Sequence, residues 1–183
     1  MGLLYAYFLV FPARELRPVL TTVAEWAGGD ESTEVAFADG SRSRLPFGPG
    51  GVLTLAPGAG PVTFHTVLRF DPDAAILRYE ADTRASIRED GGDYTPQRDE
   101  RGRASIGYIF LTVTFDGERV VLDFAAATTG MSVLLDASPS IRRTLVALLR
   151  EHGGIRGELD RDGDAEQFWP GAETTESITD ESV

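Results

Sequence analysis

The 183-residue chain has no cysteine, no lysine and no asparagine, and only two histidines, His65 and His152. Each absence closes a chemistry. Without cysteine there is no disulfide, no thiol nucleophile, no iron–sulfur cluster and no thiolate zinc site. Without lysine there is no Schiff base and no phosphate loop of the Walker type. Two histidines so far apart show no metal-ligand spacing, so neither a metal nor a cofactor is expected. All 17 basic residues are arginine. Lysine and asparagine have AT-rich codons, so a GC-rich, bacterial genome accounts for the bias without any selection for arginine chemistry.

Long apolar runs are scarce too. The N-terminal run Leu3 to Phe11 ends at Pro12 and falls far short of the ~20 residues a membrane helix needs. It lacks the basic flank and small-residue cleavage site of a signal peptide. It reads as a buried central strand in a cytoplasmic protein with no membrane partner.

Charge is plentiful but lopsided. The net charge is −12, and from Glu158 onward nine acids face one base, which places −8 there and leaves −4 for residues 1–157. An acidic chain repels phosphate backbones, so nucleic acid is not an expected ligand. It attracts basic partners.

Periodicity supplies the elements. Leu16, Val19, Leu20, Val23 and Trp26 share one helical face, closed by Gly28-Gly29. Asp39-Gly40 and Asp116-Gly117 each sit between alternating runs and predict hairpins. Val62–Phe70 alternates as a half-buried strand, and Ile76–Ala81, after the turn Asp71-Pro72-Asp73, reads as its return strand, with a helix from Pro72 as the competing assignment. Residues 82–103 read as a long polar loop. Met131–Leu135 is a short apolar run before a helix marked by Ser138 as N-cap and Pro139 in its first turn. Residues 155–169 read as a last hairpin.

These elements predict an α+β fold: a mainly antiparallel sheet of about six to eight strands with two helices and a disordered acidic C-terminal tail. Residues 1–170 form a single α+β domain in this reading, and 171–183 form the tail.

Candidate sites are few. His65 on its strand, with Arg69 and the nearby Arg78 and Glu80, is the one constellation that could serve a general base. Asp160, Asp162 and Asp164 alternate as hard-cation ligands do. A calcium loop starting at Asp160 would need glycine at its sixth position and glutamate at its twelfth, and Ala165 and Gly171 stand there. An acidic turn, weakly suited to binding, is the better reading. Gly130-Met131-Ser132 opens like a nucleophile elbow but has no closing glycine.

The inventory therefore favours a non-enzymatic protein-binding module with a basic partner, an immunity- or antitoxin-type protein being one concrete form. A small hydrolase-like enzyme built on His65, Arg69, Arg78 and Glu80 is the first alternative. An oligomerising structural domain, dimeric through an apolar patch, is the second.

Overall fold

The structure, a computed structural model, describes residues 4–170. The expected acidic tail lies outside the described residues. Nine strands and four α-helices follow one another as β1 (Tyr5–Pro12), α1 (Leu16–Ala24), β2 (Thr33–Phe37), β3 (Arg42–Leu45), β4 (Val52–Leu55), β5 (Val62–Phe70), α2 (Ala74–Glu89), β6 (Ala104–Asp116), β7 (Arg119–Ala126), α3 (Thr129–Ala137), α4 (Pro139–Glu151), β8 (Arg156–Arg161) and β9 (Asp164–Trp169). A single 3₁₀ turn, Ala13–Glu15, precedes α1.

The fold is α+β. Six strands form one antiparallel sheet in the order β5-β6-β7-β1-β8-β9. β1 is internal, as its apolar run requires. Its alternation sends Tyr7, Leu9 and Phe11 to one face, where all three are fully buried. Register places Leu122 opposite Leu9 and Phe124 opposite Tyr7 on β7, then Leu111 opposite Phe124 on β6 and Phe64 opposite Leu111 on β5. This inner face carries the core.

The helices lie on that face. The Tyr7 hydroxyl donates to the Leu135 carbonyl of α3, and Ser132 of the same helix accepts from Tyr5 N. Arg142 of α4 lies over the Phe168 ring, which itself meets Tyr7 edge-on. α1 joins the layer through Thr22 Oγ1, 2.9 Å from His152 Nε2 at the end of α4. Burying the apolar stripes of α1 and α4 (Leu16, Val19, Leu20, Val23; Ile141, Leu145, Leu148, Leu149) against this face is the main driving force for the layer.

A second, three-stranded sheet has the order β3-β2-β4, antiparallel between β2 and β3 and parallel between β2 and β4. It sits beside the β5 edge. Gly48 exchanges backbone hydrogen bonds with His65, Gly28 N donates to Val67 O, and Arg69 N donates to Trp26 O.

The expectation of two helices is corrected to four. The segment taken as a strand at Ile76–Ala81 is the first half of α2. Asp73 decides it: its Oδ1 accepts from Ile76 N at 2.9 Å, the geometry of an N-cap, while Oδ2 accepts from Ser138 Oγ and Ser140 N at the start of α4. One carboxylate thus terminates two helices. Burial alone would favour its neutral form, but these donors outweigh burial and hold the Asp73 carboxyl below the usual range. The apparent alternation of Leu77, Tyr79 and Ala81 does not match the burial, Leu77 being 52% exposed and Tyr79 only partly buried; the buried pair is Ile76 and Glu80, one turn apart. Because α2 runs on to Glu89, the polar loop shrinks to residues 90–103. Met131–Leu135 is likewise helical, with Thr128 accepting from Met131 N at 3.3 Å.

Candidate functional site

The other face of the six-stranded sheet is open: among the described residues the four helices all lie against the inner face. Register orders its side chains into rows. One row runs His65, Phe110, Ala125, Ala6, Asp160 from β5 to β8. The next runs Thr63, Thr112, Asp123, Phe8, Glu158, and continues to Gln167 on β9. A third runs Thr114, Val121, Val10, Arg156, and Val67 pairs with Tyr108 beyond the first. Tyr108 is 59% exposed and Phe110 45%, while Phe8, Val10, Val67 and Val121 are half-buried. On the β5–β7 side of this face the aromatics stand among threonines and His65, and the β7–β8 side is acidic.

Asp123 stands where the two halves meet. Thr112 and Phe8 flank it across the sheet, and its Oδ1 has no exposed surface and no hydrogen-bond partner. Burial, with a smaller push from the charge of Asp160, raises its carboxyl to about 6. Of its neighbours, Glu158 is paired with Arg156, which lies two residues back on β8.

The residues expected from sequence to form a catalytic group are dispersed. His65 gains a carboxylate, but from Glu31: Nε2 lies 2.7 Å from Glu31 Oε2. The pair closes over Gly48, where a Cβ would overlap both side chains, so a larger residue there would displace the pair. The pair can orient an imidazole, yet it lines neither of the two cavities described here. Glu80 is buried and bound by both terminal nitrogens of Arg98, tying α2 to the loop before β6. Arg69 donates to the Gly28 carbonyl at 3.2 Å. Arg78 is solvent-exposed, 3.8 Å from Asp82, on the rim of a groove of about 860 Å³ between α2 and α3. That groove is floored by small and apolar residues such as Ala75, Gly130, Val133 and Leu134.

Asp160, Asp162 and Asp164 occupy the β8–β9 hairpin. Asp160 Oδ1 accepts from Gly163 N at 2.7 Å, and Asp162 has φ 60°, so two of the three serve the turn itself. Among the described residues no group of three or more histidine or acidic side chains is arranged to hold a metal ion. Ser132 is fully buried, with its hydroxyl on Tyr5 N and Thr128 O, so the elbow-like motif is part of the packing of α3.

Sequence reasoning missed the open face, although its signal was present. β6 carries large apolar residues on both sides, Tyr108 and Phe110 alternating with Ile109 and Leu111, and only one of these sides is covered by helices. No family model, curated protein or solved structure matches the chain. No helix among the described residues is long and apolar enough to cross a membrane.

Proposed function

We propose that the chain is a non-enzymatic protein-binding module that docks a basic protein surface on the open face of its six-stranded sheet. The observation that carries this reading is the uncovered row structure: Tyr108 and Phe110 stand exposed beside half-buried Phe8, Val10 and Val121, bordered by Asp123, Glu158 and Asp160. Aromatic anchors within a polar rim are the composition of a binding surface. On the β7–β8 part of that face Asp123, Glu158 and Asp160 stand against Arg156, with Arg69 and the Asp116–Arg119 pair at the ends of the sheet, and this acidic patch favours a cationic partner over a second copy. Covering the basic surface of a toxin, as an immunity-type protein does, is one concrete form of this activity.

The test is a photo-cross-linking amino acid placed at Tyr108 or Phe110 in the native host, with exposed Arg143 on α4 as the control position. A partner captured from the sheet positions and not from the control is then purified. Its affinity is expected to fall with added salt and to drop roughly tenfold or more in Glu158→Arg/Asp160→Arg. Capture only at Arg143, or an affinity indifferent to salt and to charge reversal, would sink the reading. Self-cross-linking, with a dimer in sedimentation, would replace it by the oligomerising alternative.

A further inference from the structure

Asp123 sits on β7 where the aromatic and acidic halves of the open sheet face meet. We infer that it makes docking on this face proton-linked: a cationic partner binds the deprotonated form and is held more weakly as acid neutralises Asp123. The inference rests on the docking reading above and adds a regulation to it.

The geometry leaves this carboxylate without a donor. Its cross-strand neighbours are Phe8 on β1 and Thr112 on β6. Phe8 has nothing to donate, and the Thr112 hydroxyl lies 2.9 Å from that of Thr63, one strand further on. Along β7 its neighbours on the same face are Val121 and Ala125. One carboxylate oxygen, Oδ1, is enclosed and has no hydrogen-bond partner. The enclosure that shuts out a solute leaves the group open to a proton, and neutralising a partly buried carboxylate removes the cost of keeping charge there.

The charged groups around it do not offset that cost. From β8, Asp160 and Glu158 share its face, and Arg156 is engaged with Glu158. On the strands beside it, the diagonal positions are the uncharged Ala6 and Val10 of β1 and Phe110 and Thr114 of β6. Further off, β5 carries Arg69 and His65, the latter paired with Glu31, and Asp116 and Arg119 stand opposite each other at the end of the β6–β7 hairpin. Burial first, and the charge of Asp160 second, therefore raise the Asp123 carboxyl to about 6.

Binding turns this into a linkage. A partner's arginine or lysine seated beside Phe8 and Thr112 brings positive charge to an unpaired carboxylate and favours loss of its proton. By reciprocity, loss of the proton favours the partner by the same factor. A cation that returns the carboxyl to its ordinary range makes affinity rise roughly tenfold from about pH 5 to pH 7, and a partial return gives a smaller rise of the same sign.

The test uses an end-capped hexa-arginine peptide, whose charge is constant across this range. Its binding to the ¹⁵N-labelled full chain is followed at the Phe110, Thr112 and Asp123 amides at fixed salt, with the Asp123 side-chain carboxyl followed in parallel by ¹³C. In the parent, affinity at these amides should rise roughly three- to tenfold over the range, and the carboxyl should titrate at lower pH with peptide than without. Asp123→Asn should lose most of that rise; it leaves His65, Glu158 and Asp160 in place, so any slope they supply survives it. Asp160→Asn keeps an acceptor for Gly163 N but removes a flanking charge, and should lower the pH at which Asp123 titrates. Equal slopes in the parent and Asp123→Asn, or an Asp123 carboxyl whose titration the peptide does not move, overturn this inference alone. Peptide shifts confined to other surfaces at every pH overturn the docking reading and this inference together.

Discussion

The two faces of the six-stranded sheet come from the same strands and the same alternation, yet they have opposite fates. On the inner face every second residue of β1, β6 and β7 meets another apolar side chain or a helix, and the tyrosine among them has its hydroxyl on a helix carbonyl. On the outer face the intervening residues meet only each other, and a carboxylate stands among them with an unpaired oxygen. The lesson is that alternation decides which residues share a face, while the connections decide which face is covered. Here α1, α3 and α4 all return to the same side, and the other side keeps its apolar rows in contact with solvent.

The contrast can be broken most forcefully at its inner half. Leu9→Ala, at a fully buried position in the centre of the sheet, is expected to cost about 3–5 kcal/mol in denaturant unfolding, whereas Phe110→Ala one layer away should cost under about 1 kcal/mol. Equal losses would mean that the outer face is covered after all.

The next effect is smaller and concerns the helix layer. Asp73→Ala removes the cap of α2 together with two acceptor contacts at α4, and should cost about 2 kcal/mol at neutral pH. Because the folded-state carboxyl is held low, its contribution is present above the unfolded value near 3.8 and is lost as pH falls through the folded value. The difference between Asp73→Ala and the parent should therefore shrink in acid.

Asp123 has the opposite sign and the smallest effect. Its folded carboxyl titrates at about 6, above the unfolded value near 3.8, so the folded state holds the proton more tightly and stability falls as pH rises between those values. Asp123→Asn should stabilise the protein by roughly 1–2 kcal/mol above pH 6, because solvent screens a partly exposed carboxylate, and should make no difference below about pH 4. A variant no more stable than the parent at neutral pH would show that Asp123 is satisfied on the free protein.

Much of the fold was legible because its signals are local. Asp116-Gly117 between two alternating runs, Ser138-Pro139 ahead of an apolar stripe, and the alternation of Val62–Phe70 each specify an element without help from elsewhere. α2 was misread because its evidence is not local. Its apolar content is low, and its N-cap, Asp73, sits inside an Asp-Pro-Asp turn that also suits a hairpin. What fixes Asp73 is its contact with Ser138 and Ser140, more than sixty residues on. The partners of the candidate residues were illegible for the same reason. His65 was legible as a strand histidine, but Glu31 comes from a loop whose approach depends on Gly48, and Glu80 is claimed by Arg98 from what read as featureless loop. The open face could be counted residue by residue in β6, but its exposure depends on where four helices pack.

The treatment of the β5 edge constrains how anything can attach to this protein. Backbone groups that would otherwise template another chain are occupied by Gly28, Trp26 and Gly48 of the same molecule. Extension of the sheet by an incoming strand is therefore blocked on that side, and with it the commonest route from an antiparallel sheet to fibrils. A visitor arriving at β5 must lie flat across the side chains, reading their chemistry, and cannot simply zip onto the main chain, which is indifferent to sequence.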